Sequence, residues 1–414
     1  MDRWHSHAIA VRLARRHDLH RGRHPVSAGY PQPGQRNGGA ELDPAPGLYR
    51  PEPLPSGNAG RGRRHHGHVE PYQHRSWKPD RKAARLTVKR LIVIRCGGFG
   101  DVIQAASILP GLKEEGWHIT FDTSEQGFEI LKSDPCIDSL LLTPHGSVSG
   151  ENLGAYWNAR TNGFNRIINL TGSVENTSLM TPNVFGFFHD DETRRRLYGD
   201  INYVEHAHRI ANVPGPFAPR YCPYLAELDM TRGLSDGKRM VVLSLAGSAH
   251  YKVWPHAPAF VEKLLGQPET LVYLAGGPND AHIAKDILAY LVEEQVPDLA
   301  RVIDGTGEAV RTSYAIAWQA DLVVGPETGI MNAVARSAGR KVVLLSHSSP
   351  TNLTKHWTNT VAISSRVPCH PCHRLHNTEK FCPRGPSGAF AACAESISPE
   401  QVLAASIGTT EDLI

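Results

Sequence analysis

The stretch VKRLIVIRCGGFGDVIQAASILPGLKEEG (88–116) decides the fold. LIVI (91–94) is a short apolar run of the kind that fills a strand buried on both faces. VIQAASILPGLKEEG (102–116) carries its apolar residues at helical spacing. Between them, RCGGFGD (95–101) holds three glycines in four residues, Gly97, Gly98 and Gly100, followed by Asp101. A strand, a glycine-rich turn and a helix in that order open a βαβ unit.

Working outward, HITFDTS (118–124) and RIINLTG (166–172) read as further strands of the same half. Near residues 226–239 the chain turns polar (ELDMTRGLSDGKR), as an inter-domain linker would. A second alternation follows. Strands are expected at MVVLSLAGS (240–248), TLVYLAGG (270–277), RVIDGTG (301–307), ADLVVGPETG (320–329) and KVVLLSH (341–347). Helices are expected at 258–266, AHIAKDILAYLVEEQ (281–295), SYAIAWQA (313–320) and IMNAVARSAG (330–339). Alternation of this kind implies mainly parallel sheets in an α/β fold of two Rossmann-like, doubly wound halves. The boundaries read as 88–230 and 238–395, with a C-terminal helix and tail at 396–414.

At 414 residues and 40% hydrophobic composition, the chain is long enough for two cores. It has no run of eighteen apolar residues to span a bilayer, and no apolar stretch of signal-peptide length at its start, so a cytoplasmic protein is expected. The net charge of +3 hides an asymmetry: residues 1–87 hold sixteen Lys and Arg against seven Asp and Glu, and the remainder 28 against 34. The folded body is therefore acidic, and a nucleic-acid role would rest on the N-terminal segment alone. That segment is rich in Arg, His, Pro and Gly, shows no lasting period, and is expected to be disordered. Two readings of it stand: a flexible basic arm touching anionic lipid or nucleic acid, or an over-extended start, with the folded, Rossmann-like part opening at Val88.

Three loops carry candidate chemistry. Gly97, Gly98 and Gly100 let the backbone turn and let a ligand approach, and they match neither GxGxxG nor a P-loop. Asp101 falls in the first helical turn at the carboxyl end of a strand, where open α/β sheets place ligands, or where a carboxylate simply stabilises a helix. Lys252, after Gly247 and Ser248, is a point charge for a phosphate or a surface lysine. Thr328 and Gly329 open a helix suited to a diphosphate, and Glu327 beside them is placed for sugar hydroxyls.

The order and spacing of these loops resemble those of glycosyltransferase family 9, the ADP-heptose:lipopolysaccharide heptosyltransferases, over residues 89–405. GGFGDVIQAASILP matches the family's opening GD and apolar helix with a Pro, LAGSAHYKVWP its K-x-W-P, LAGGPND its G-G-P and ETGIMN its D-[ST]-G-x-M-H segment. The resemblance implies a GT-B fold and an inverting, metal-independent transfer of a heptose or similar sugar. The donor would be a nucleotide-diphosphate sugar, an ADP-sugar favoured, and the acceptor a lipopolysaccharide-core or other surface glycan or glycolipid. It implies peripheral contact with the inner membrane face and no specific nucleic acid. Asp101 matches the general base, Lys252 with Thr328 and Gly329 the diphosphate positions, Asn279 or Asp280 the ribose position and Glu327 a donor-sugar contact. Glu327 stands where the family has Asp, and Asn332 where it has His, both on the donor-sugar side.

Arg194, Arg195 and Arg196 read as a solvated face or as contacts to an acidic acceptor. Cys369, Cys372, Cys382 and Cys393 suggest a structural zinc, with His370, His373 and His376 as substitutes, or buried free thiols, or disulfides. Besides transfer, two functions stay open: sugar-nucleotide epimerisation on the same fold, and a catalytically impaired nucleotide-sugar-binding protein.

Overall fold

The structure, a computed structural model, describes residues 88–143, 152–171, 192–193, 201–247, 249–373, 382, 385 and 389–408. The basic segment 1–87, Ser248, the arginines at 194–196 and His376 lie outside these residues.

Strand β1 (Arg90–Ile94) is buried from Leu91 onward and lies parallel between β2 (His118–Thr123) and β4 (Arg166–Asn169). With β3 (Ser139–Leu142) they form a four-stranded sheet of order β3-β2-β1-β4. Helix α1 (Phe99–Ala105) passes through one tight turn into α2 (Leu109–Glu114). Pro110 thus sits in the first turn of α2, where a missing N–H costs nothing. Helices α3 (Glu125–Leu131), α4 (Leu153–Thr161) and α5 (Tyr203–Ala211) follow. The core of this lobe joins Leu91, Val93 and Phe121 of the sheet to Val102, Ala105 and Leu109.

After α6 (Leu225–Thr231) the second sheet begins. Its strands are β5 (Arg239–Ser244), β6 (Thr270–Ala275), β7 (Val302–Asp304), β8 (Leu322–Pro326), β9 (Arg340–Leu345) and β10 (Thr360–Ser364). Their order is β10-β9-β8-β5-β6-β7, every pairing parallel. Between them run α7 (Ala257–Leu265), α8 (Ala281–Glu293), α9 (Val310–Gln319), α10 (Gly329–Ala333) and α11 (Pro350–Leu353). Helices α12 (Ala392–Glu395) and α13 (Pro399–Ile407) end the chain's described part. Helix α13 is bound into this lobe: Val402 and Ala405 join its core, and Arg340 and Arg239 donate to the carbonyls of Ala405 and Ser406. In each sheet the direction of strand addition reverses beside the first strand, between β1 and β4 and between β5 and β8. Such switch points leave a crevice at the strand carboxyl ends.

A third apolar cluster belongs to both lobes. Ile103, Ile130, Tyr203 and Tyr221 pack with Tyr314, Ile330, Met331 and Val343 in one buried body.

Two expectations from the sequence change. Part of the polar stretch at 226–239 is helix α6, because Glu227 reaches back to the Tyr224 N–H and caps its start. The helix expected over 330–339 ends at Ala333. Only six residues separate that point from β9, and a side chain at Gly339 would strike the Ala320 carbonyl, so the chain must turn there. Strands β3 and β10, at the edges of their sheets, are not among the strands expected from the sequence.

Arg311 of α9 ties the lobes at their polar seam. It is 3% exposed and grips the Glu227 carboxylate of α6 with Nε and Nη2 at 2.6 and 2.9 Å. Nη1 donates to the Ile130 and Glu129 carbonyls at 3.1 and 3.2 Å, satisfying the end of α3, and Nη2 also reaches Ser133 Oγ at 2.9 Å. Removing one partner of such a pair leaves a poorly solvated charge and unpaired carbonyls. Arg311→Ala is expected to lower the unfolding free energy by about 3 kcal/mol in urea denaturation. Arg232→Ala, which breaks only the exposed pair with Asp229, should leave it unchanged within error.

Candidate functional site

The first loop of the site leaves β1 at Ile94. Arg95 is fully buried, donates from Nη1 to the Leu170 carbonyl at 3.2 Å, and places Nη2 3.3 Å from Asp101 Oδ2. Gly97 takes φ +149°, a conformation that side chains resist. Gly98 begins α1, and its N–H donates to Asp101 Oδ2 at 3.0 Å. The carboxylate is thus oriented through one oxygen by a buried guanidinium and a helix-terminal N–H.

A second loop repeats part of this device. In Gly276-Gly277-Pro278-Asn279-Asp280, the Gly277 N–H donates to Asp280 Oδ2 at 2.8 Å. Asp280 is therefore engaged as a cap at the start of its helix, and Asn279 is exposed beside it, its carbonyl accepting from His282. The same Gly-Gly-x-x-Asp turn occurs in both lobes, so capping alone does not mark Asp101. Arg95 and the facing helix set it apart.

The third loop follows β5. Trp254 is buried and its indole N–H donates to the Ile397 carbonyl at 2.9 Å, anchoring the K-x-W-P segment in the second lobe. Two residues earlier, Lys252 reaches the loop after the adjacent strand, its Nζ 2.9 Å from the Glu327 carbonyl.

That carbonyl belongs to the fourth loop, after β8. Thr328 begins α10, its Oγ1 accepting from the Met331 N–H at 3.3 Å and lying 3.1 Å from Ser244 Oγ. Lys252 is therefore bonded to the carbonyl that immediately precedes Thr328. Glu327 itself points the other way, into the loop after β9. Its Oε1 accepts from the N–H groups of Ser346 and Ser348 at 3.0 and 3.2 Å, and the hydroxyls of both serines donate short bonds to the carboxylate. His347 Nε2 lies 3.6 Å from Oε2. Burial alone pushes the Glu327 carboxyl up, but His347, Lys252 and the two serine hydroxyls outweigh it and hold it down at about 2.

Helices α1 and α10 meet directly. A Cβ on Gly100 would lie 2.9 Å from Asn332 Nδ2, and one on Gly329 would lie 2.6 Å from Phe99 Cβ and 2.3 Å from the Tyr314 hydroxyl. Phe99 stacks edge-on against Tyr314, centroids 6.1 Å apart. Asn332 is buried, donating to the Thr328 carbonyl at 2.9 Å and accepting from Gln104 Nε2 at 2.9 Å. Gly100 thus serves helix packing more than ligand approach.

The loop of Asp101 and the loop of Thr328 and Gly329 are joined where their helices pack, and Lys252 bonds to the carbonyl before Thr328. Asn332 is buried between Gln104 and the Thr328 carbonyl, Glu327 is turned toward Ser346 and Ser348, and Asn279 and Asp280 follow the neighbouring strand. Sequence reasoning passed over Arg95, Gln104 and the Ser346–Ser348 loop. The available signals were a cation closing an apolar strand, an amide one turn beyond Asp101, and SHSSP following KVVLL.

Cys369, Cys372, Cys382 and Cys393 are each half-buried. Burial, with Cys372, Glu327 and Cys382 adding to it, pushes the Cys393 thiol up to about 12. Among the described residues no group of three or more His, Cys, Asp or Glu is arranged to hold a metal ion. Nor is any described helix long and apolar enough to cross a membrane.

No family model and no curated protein matches the chain by sequence. Solved structures do match. The ADP-heptose lipopolysaccharide heptosyltransferase II of Escherichia coli aligns with TM-score 0.53 at 19% identity, over 76% of this chain and 97% of that one. A family 9 glycosyltransferase from Veillonella parvula aligns with TM-score 0.53 at 18% identity, over 77% and 96%. Likeness at this identity establishes the fold: two parallel α/β sheets in the GT-B arrangement of these glycosyltransferases.

The buried Glu327 makes stability depend on pH. A carboxyl near 4.5 in the unfolded chain and about 2 in the folded one stabilises the fold above pH 4.5, and that contribution fades as pH falls toward 2. Urea denaturation between pH 5 and 2.5 should show wild type losing up to about 3 kcal/mol more than Glu327→Gln. Parallel losses in the two chains would contradict the assignment.

Proposed function

We propose that the protein is an inverting glycosyltransferase that moves a sugar from a nucleotide-diphosphate donor to a hydroxyl of a glycan or glycolipid acceptor. One observation carries this reading: the helix bearing Asp101 packs against the helix opened by Thr328, whose loop Lys252 touches. A carboxylate and a phosphate-binding corner then face one crevice from opposite lobes.

The chemistry follows from that placement. The acceptor oxygen attacks the anomeric carbon as its proton passes to Asp101. The bond from that carbon to the diphosphate breaks, and the diphosphate leaves with the electron pair. Lys252 and the N–H groups at the Thr328–Gly329 turn are placed to stabilise the charge that develops on it. Asp101 is tied through Oδ2 to Arg95 and Gly98, and proton transfer to it suits a step in which the hydroxyl acidifies late, as an oxocarbenium-like carbon forms. The resemblance to family 9 favours an ADP-sugar donor, a heptose or a related sugar, and a lipopolysaccharide-core or other surface-glycan acceptor. The enzyme would then work on the cytoplasmic side, at the inner membrane face.

A second reading, a nucleotide-sugar-binding protein without transfer, is favoured by one observation. Glu327 and Asn332, at the positions where family 9 has Asp and His, are both turned to protein partners.

Turnover separates the two. Incubated with ADP-, UDP- and GDP-sugars, the purified chain should release nucleoside diphosphate slowly from one of them. Asp101→Ala should reduce release by about 100-fold or more while donor affinity stays within about twofold. Lys252→Ala should weaken donor binding itself. Binding without release supports the second reading, and neither binding nor release with any donor removes both.

A further inference from the structure

We propose that Gln104 and Asn332 form a cross-lobe latch that sets the register between the helix carrying Asp101 and the corner that receives the diphosphate, making both positioning residues for transfer. The inference deepens the transferase reading and rests on it.

Gln104 lies one helical turn beyond Asp101 and is 6% exposed. Its neighbours on α1, Val102, Ile103 and Ala105, are buried apolar residues, so an amide here is out of keeping with its helix. Its Nε2 donates across the lobe boundary to Asn332 Oδ1 at 2.9 Å. Asn332 passes the link on, donating from Nδ2 to the Thr328 carbonyl at 2.9 Å. The result is a continuous chain of hydrogen bonds from the helix of Asp101 to the residue that opens α10.

Gln104 Oε1 is buried with no hydrogen-bond partner. Leaving an amide oxygen unpaired in the interior is costly, and an apolar side chain would avoid that cost. The amide is therefore poorly explained as packing and well explained as a directional contact. The surroundings hold it in place. Gly100 leaves just enough room for the Asn332 amide, and Phe99 seats against Gly329 and Tyr314 on the other side of the same contact. Sliding α1 by a fraction of a turn would break the Gln104–Asn332 bond and move Asp101 relative to Thr328 together.

In-line displacement requires the attacking oxygen and the departing diphosphate on opposite sides of the anomeric carbon. The distance between Asp101 and the diphosphate corner is thus a catalytic quantity, and neither amide needs to touch substrate to control it.

The test uses the full chain and three variants. Gln104→Met keeps the side-chain shape and removes the bond, Asn332→Ser withdraws the other partner, and Gly100→Ala pushes the Asn332 amide aside with both partners present. Nucleoside diphosphate release should show kcat reduced about 10–100-fold in each, with donor KM within about twofold. The double variant Gln104→Met/Asn332→Ser should fall no further than the worse single. Hydrogen–deuterium exchange, which needs no turnover, should quicken several-fold across residues 328–334 and stay unchanged across β5. A kcat within twofold of wild type, additive losses in the double variant, or exchange quickened in both sheets alike overturns the latch. Should wild type release no diphosphate at all, the transferase reading falls, and the exchange result alone decides whether the two amides lock the lobes.

Discussion

Two short helices, one from each lobe, touch at their N-terminal ends, and the rest of the site depends on that contact. It exists because glycine stands at both closest points, Gly100 on α1 and Gly329 on α10. Any side chain at Gly329 would collide with Phe99 and Tyr314, and the lobes would part. Helix α1 is aimed by β1, the buried strand at the switch point of the first sheet, and α10 by β8, which lies at the switch point of the second. Each sheet thus delivers one of the two helices that touch. The shared cluster of Ile103, Tyr221, Tyr314 and Met331 then excludes water behind them.

Polar groups behind the crevice are arranged with similar economy of freedom. Arg95 and Gly98 hold one oxygen of Asp101, and Lys252 is extended by the anchored Trp254 beside it. Glu327 is withdrawn from the crevice and organises the Ser346–Ser348 loop with both its oxygens. The neighbouring Asn202 and Asn352 cross-bond the lobes again, Asn202 Nδ2 donating to the Thr351 carbonyl at 2.9 Å and Asn352 Nδ2 to that of Ile201. A buried carboxylate surrounded by donors is rigid, because any motion leaves a charge without partners in a low-dielectric interior.

Much of this was legible in the sequence. LIVI, MVVLS and ADLVV announce buried parallel strands because residues covered on both faces have no reason to alternate. The loops after them stand out by glycine and by a charged residue at the next helix start. What stayed hidden depends on distant pairing. Gln104 looks like any helix-surface amide until Asn332, 228 positions away, is found opposite it. Glu327 looks like a sugar ligand until its carboxylate is seen turned toward Ser346 and Ser348. Arg311 carries no signal in the sequence, and only the fold shows that Glu227 and the end of α3 enclose it. Local pattern reports which face is apolar; it does not report which polar groups meet across a fold.

The most direct measurement is a crystal structure of the protein with a non-hydrolysable nucleotide-sugar. The account predicts the diphosphate within hydrogen-bonding reach, about 3 Å, of Lys252 Nζ and the Thr328–Gly329 N–H groups, with the Asp101 carboxylate across the anomeric carbon from it. A donor seated elsewhere, or an Asp101 that faces away from the sugar, would contradict it.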